Sequence, residues 1–152
     1  MCDYSLMGVP NRLAREGEDL VVYEFRTGSR GLTSVTNTDT QMRHESFGIL
    51  KRLFVNLEPE RVAVCVPPGA RLRLSDIAED VQNSFAVGAS EEVTFTQLTA
   101  AADTYRDAVR FTNGREILLQ RLNKGQRVRV LELSLAEEPV WSVWEAAEFY
   151  RY

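Results

Sequence analysis

Residues 108–133 run AVRFTNGREILLQRLNKGQRVRVLEL, and the fold class turns on how this stretch is read. Ala108 to Phe111 and Ile117 to Leu122 are short apolar runs on either side of Asn113-Gly114. That dipeptide predicts a type I′ hairpin, because both turn residues tolerate positive φ. Lys124-Gly125 makes the next turn, and Arg127 to Leu133 is expected as an alternating strand, the third of a meander.

The same signals recur upstream. Leu20 to Phe25 is rich in β-branched and aromatic residues, and Thr27 to Gly31 turns the chain toward Leu32 to Val35. Arg61 to Val66 is an apolar strand stopped by Pro67-Pro68-Gly69. In Arg71-Leu72-Arg73-Leu74 the leucines face in and the arginines out. Glu92 to Leu98 is a further strand, and residues 3–8 suggest a first one, ended at Pro10-Asn11. Helices are fewer. Phe47, Leu50, Phe54 and Leu57 suit one helical face, Asp76 and Glu79 have capping-box spacing, and Pro139 opens a C-terminal helix over 139–152. The expectation is a β-rich α+β domain spanning 1–152. Its sheet is a curled antiparallel one or a partly open small β-barrel, with two or three peripheral helices including the C-terminal one. A β-sandwich is the alternative.

At 152 residues the chain is long enough for a self-sufficient core. Apolar residues make up 44% and the net charge is only -4, which argues against disorder. No stretch approaches a membrane span and the start lacks a secretory pattern, so the expected location is cytoplasmic. The charge also argues against a nucleic-acid binder with its own large basic footprint. Of the 18 basic residues only Lys51 and Lys124 are lysine. Genomic base composition explains such a bias as well as any Arg-specific role does.

Chemistry-bearing residues are sparse. Met1-Cys2 predicts removal of Met1, which would leave a thiol beside its own α-amine, a weak candidate nucleophile. Class II glutamine amidotransferases share the Met-Cys start. The resemblance covers two residues, Asp3-Tyr4 departs from that family's continuation, and the family is not assigned. Cys2, His44 and Cys65 could hold one transition-metal ion, although no C-x-x-C or H-x-H spacing forces them together. With no secretory signal the thiols are expected reduced. The plainer readings are a packed Cys65 amid valines and a surface His44. No G-x-S-x-G, P-loop or dinucleotide fingerprint occurs.

Two features point to binding instead. Arg71, Arg73, Arg127 and Arg129 lie in alternating pairs on two strands. If those strands adjoin, the four form a panel for an anion or an acidic partner, or pair with acids such as Glu132 and Glu116. In the C-terminal segment Val140, Val143, Trp144, Ala147 and Tyr150 fall on one helical stripe, while Trp141, Phe149 and Tyr152 fall on the other. A surface helix needs one apolar face, so either the second meets a protein partner or another copy, or the segment is a non-helical tail threading through the domain's own core. The expected function is therefore a binding or accessory protein, a homo-oligomer or an assembly subunit, with no cofactor. A metal- or thiol-dependent protein centred on Cys2 is the alternative.

Overall fold

Alternating apolar residues, punctuated by glycine turns, build most of the residues described by the structure, a computed structural model covering residues 6, 8–35, 61–99, 101 and 104–133. Nine strands appear there: β1 (Asn11–Leu13), β2 (Asp19–Glu24), β3 (Arg30–Ser34), β4 (Ala63–Cys65), β5 (Arg71–Ser75), β6 (Ser90–Gln97), β7 (Asp107–Phe111), β8 (Glu116–Leu118) and β9 (Arg127–Glu132). Seven of them form one curled antiparallel sheet in the order β3-β2-β9-β5-β6-β7-β8, and β1 pairs with β4 in a small parallel one. The first strand begins at Asn11, after Pro10, rather than ending there. Proline lacks the N–H that a ladder requires.

The concave side of the large sheet is the core. Leu20, Val22, Leu72, Leu74, Val93, Phe95, Val109, Phe111, Ile117, Val128 and Val130 all point into it and are buried. A helix, α1 (Glu79–Phe85), covers this core with Val81, and Phe85 tilts against Phe111 at 5.8 Å between ring centroids. It is the one α-helix among the described residues, where two or three peripheral helices were expected. The helices expected around 47–57 and 139–152 lie outside those residues. The Asp76–Glu79 capping box does not form. The N-cap is Ala78, without a side-chain cap, and Asp76 sits at φ 56, turning the chain three residues before the helix begins at Glu79.

The expected three-strand meander is also corrected. β7 and β8 do form a hairpin, with Val109 opposite Ile117. The chain then passes through a 3-10 turn (Leu119–Arg121) and leaves the edge, so that β9 inserts between β2 and β5. Alternation specifies the face a side chain takes and leaves the neighbour open. Val128 and Val130 need cover from both sides, and a central position supplies it. The alternation of β9 itself breaks at Leu131. A bulge opposite Arg71/Leu72 absorbs one residue there, which turns Glu132 to the outer face and lets Leu133 pack on the core.

The sheet curls until its two edges meet. The side-chain amide of Gln120 accepts from the Arg30 N–H at 2.9 Å and donates to the Arg30 carbonyl at 2.7 Å. The Arg30 guanidinium donates to the carbonyls of Gln120 and Leu122 at 3.1 and 2.7 Å. One amide and one guanidinium thus replace ladder hydrogen bonds at the seam of a partly open barrel.

A second, smaller core lies on the outer side of β2 and β3. Leu6, Val9, Phe25 and Ala63 pack there with Tyr23, whose ring meets Phe25 edge-on at 5.1 Å. Gly31 makes this possible, since a Cβ at that position would come within 2.7 Å of Leu6 Cδ1. Among the described residues no helix is long and apolar enough to cross a membrane.

Candidate interaction surface

If one face of each strand fills the core, the other must face outward. On β2, β9, β5, β6, β7 and β8 that outer face carries charge in register. The first row runs Asp19, Arg129, Arg73, Glu92 across four strands. The second runs Glu132, Arg71, Thr94, Arg110, Glu116 across five. A third row holds Val21, Arg127, Ser75 and Ser90. The two arginine-bearing strands β5 and β9 therefore adjoin, and Arg71, Arg73, Arg127 and Arg129 share one face.

The four arginines are not equivalent. Arg129 donates to both carboxylate oxygens of Asp19, at 2.8 and 2.7 Å. These hydrogen bonds hold Asp19 below its ordinary pKa and push Arg129 up. Arg71 Nε donates to Glu92 at 2.9 Å and its Nη1 to Glu132 at 3.3 Å, which together raise its pKa, Glu92 contributing most. Arg73 has weaker company. It stands directly opposite Arg129, a like-charge position that costs stability, and among the described residues it reaches only Glu92, at 3.9 Å. Arg127 acts on Asp19 through its charge alone, with no hydrogen bond between them among the described residues. Arg73 and Arg127 thus keep donors available on an open surface, while Arg71 and Arg129 are engaged.

A shallow depression of about 90 Å3 lies over Thr94 between Arg71 and Arg110. Small-molecule sites run to roughly 300–1,000 Å3 and are mostly apolar. The arrangement instead suits extended polar contact with a second surface.

The remaining candidates are placed apart or lie outside the described residues. Cys65 ends β4, opposite Leu13, and is buried. Its sulfur is disulfide-bonded, which corrects the expectation of reduced thiols, and the sequence holds one other cysteine, Cys2. The packing of Leu6 and Val9 on Ala63 explains how the N-terminal stretch is drawn toward β4. A sulfur in a disulfide is no thiolate ligand, so Cys65 does not meet the requirement of the metal reading. Among the described residues no group of three or more His, Cys, Asp or Glu could hold a metal ion. Cys2, His44, Trp141, Phe149 and Tyr152 lie outside those residues.

Sequence reasoning missed two polar clusters. Asp19 flanks the arginines because β9 pairs with β2, and Glu92 because β6 pairs with β5; nothing local signals either pairing. The second cluster joins β1, β2 and β3 at one corner. Arg12 pairs with Glu18, whose carboxylate also accepts from the Arg15 N–H at 3.1 Å and from Ser34 Oγ at 3.0 Å. Its hydrogen bonds, Arg12 first, hold Glu18 below its usual pKa. The neighbours Arg12, Arg15 and Glu18 are a local signal for this knot. The chain matches no protein-family model, no curated protein and no solved structure.

Proposed function

We propose that this protein is a binding or accessory module that acts through protein–protein contact, as a homo-oligomer or as a subunit of a larger assembly. One observation carries the reading. The outer face of the sheet offers charge in register over six strands, with Arg73 and Arg127 incompletely paired and, between Arg71 and Arg110, a depression of only about 90 Å3. Such a face recognises a complementary surface better than it encloses a metabolite. The sequence adds the aromatic stripe Trp141, Phe149 and Tyr152, the residue types that dominate interface hot spots. Arg71 and Arg129 act in this reading as fixed elements of the charge pattern, and Arg73 and Arg127 as the groups that meet the partner.

Replacing the two tryptophans tests the reading. Trp141→Ala weakens association by about 2 kcal/mol or more and leaves the fold intact. Trp144→Ala, on the opposite stripe, destabilises the fold by roughly 3 to 5 kcal/mol. Sedimentation and urea melts separate the two effects. If both variants melt early and neither changes association, the aromatic stripe belongs to the protein's own core and the reading loses its support.

A further inference from the structure

We infer that the surface around Arg73 and Arg127 is the receptor for the acidic, aromatic C-terminal segment, residues 134–152, of a second copy of this chain. The inference rests on the protein–protein reading above and names the partner.

Complementarity carries the argument, beginning with charge. Residues 134–152 contain Glu137, Glu138, Glu145 and Glu148 against a single Arg151. At helical spacing Glu145 and Glu148 fall at i+4 and i+7 from Trp141, on the side of Trp141 and Tyr152, and Glu148 also neighbours Trp144 at i+4. The contact stripe is therefore acidic and aromatic together. Guanidinium groups match both parts, since they bind carboxylates through two donors and stack on aromatic faces. Arg73 and Arg127 are the two on this face with donors to spare. Arg73 is 53% exposed and its one ion pair spans 3.9 Å.

Spacing agrees as well. Arg73 pairs Arg129 and Ser75 pairs Arg127, so Arg73 and Arg127 are diagonal neighbours on β5 and β9. Diagonal neighbours lie about 7–8 Å apart, with side chains long enough to close in. Glu145 and Glu148 are three residues apart in the sequence, so both carboxylates can reach the two guanidiniums at once.

The flanking acids select against a polyanion. Asp19, Glu92, Glu132 and Glu116 border the arginines on both rows. A continuous phosphate backbone would lie across them and be repelled. A segment with two isolated carboxylates between aromatic rings avoids that repulsion.

A charge swap in the full-length chain is the test. Arg73→Glu/Arg127→Glu and Glu145→Arg/Glu148→Arg are each purified, with urea melts to confirm folding. Arg73→Gln/Arg127→Gln serves as a neutral second variant should the reversal fail to fold. Each reversed protein alone self-associates about tenfold or more weakly than wild type. Mixed one to one, they associate with each other, because both reciprocal contacts regain opposite charges. Wild type that associates and responds to Trp141→Ala, with reversed arginines that change nothing or a mixture that does not associate, overturns this inference and spares the reading beneath it. Wild type that stays monomeric overturns this inference and leaves the reading beneath it only as a subunit of an assembly with a different chain. Arginine-dependent binding of a single-stranded oligonucleotide, without self-association, assigns the face to nucleic acid and overturns the inference too.

Discussion

Gly114 and Glu18 show how single residues set local geometry. The Asn113-Gly114 signal correctly marks the β7–β8 hairpin, but the turn is not type I′. Gly114 has φ 84, while Asn113 is absent from the positive-φ residues. The Gly114 N–H donates to the Phe111 carbonyl at 2.9 Å, and the Phe111 N–H donates to the Arg115 carbonyl at 2.8 Å. This is a three-residue loop, a tight turn followed by one left-handed residue. The side chain of Asn113 is occupied elsewhere, accepting from the Arg115 N–H and donating to the Phe85 carbonyl at 3.0 and 2.9 Å. Phe25 to Ser29 closes in the same way around Gly28. A Cβ at Gly114 meets nothing within 4 Å, so Gly114→Val is penalised by backbone conformation alone. The expected loss is roughly 1 to 3 kcal/mol in urea melts, and an unchanged midpoint contradicts the turn assignment. Glu18 yields a pH prediction. Its folded pKa is lowered, so its contribution is present above the ordinary Glu pKa of about 4.3 and is lost as pH falls through the folded value. Glu18→Gln should cost roughly 1–3 kcal/mol at neutral pH and flatten the acid limb of stability below about pH 4.3. Urea melts from neutral to acid pH measure both, and a variant with the wild-type acid limb excludes the role given to Glu18.

At the scale of elements, strands were legible and their order was not. Period-two alternation located β5 and β9, β-branched and aromatic content located β2, and the Asn113-Gly114 signal located β7, each to within a residue or two. Their neighbours depend on how the sheet curls, and no local pattern records that. The bulge at Leu131 shows the limit well: the hydrophobic pattern Val130-Leu131 looks like a flaw in alternation, yet it is what turns Glu132 toward Arg71. The helix start was misread because Asp76 takes a left-handed turn instead of capping. The barrel seam was equally invisible, since Gln120 and Arg30 are ninety residues apart. Gln120→Ala would leave the Arg30 N–H and carbonyl without their seam partners in a half-buried edge. The expected cost is about 1–3 kcal/mol, together with faster hydrogen exchange at the Arg30 amide. Unchanged exchange there means the edges are held by something other than this pair.

Over the whole molecule, two arginine pairs visible in the sequence become one face because β9 crosses to the middle of the sheet. That placement was conditional on strand order, and so were the acids beside them. Cys65 went the other way. A buried valine-rich strand explains its packing, while nothing in the local sequence signals its disulfide. The central claim is that exposed charge on this sheet works by contact with another chain. Sedimentation equilibrium of the wild-type protein at low and high salt tests it most directly. Exposed ion pairs are screened over about 10 Å at 0.1 M salt and about 3 Å at 1 M, so association should be evident at low salt and shift toward monomer as salt rises. A monomer at every concentration and salt would exclude the homo-oligomer and its second-copy receptor, and an association indifferent to salt would contradict a role for the exposed charge.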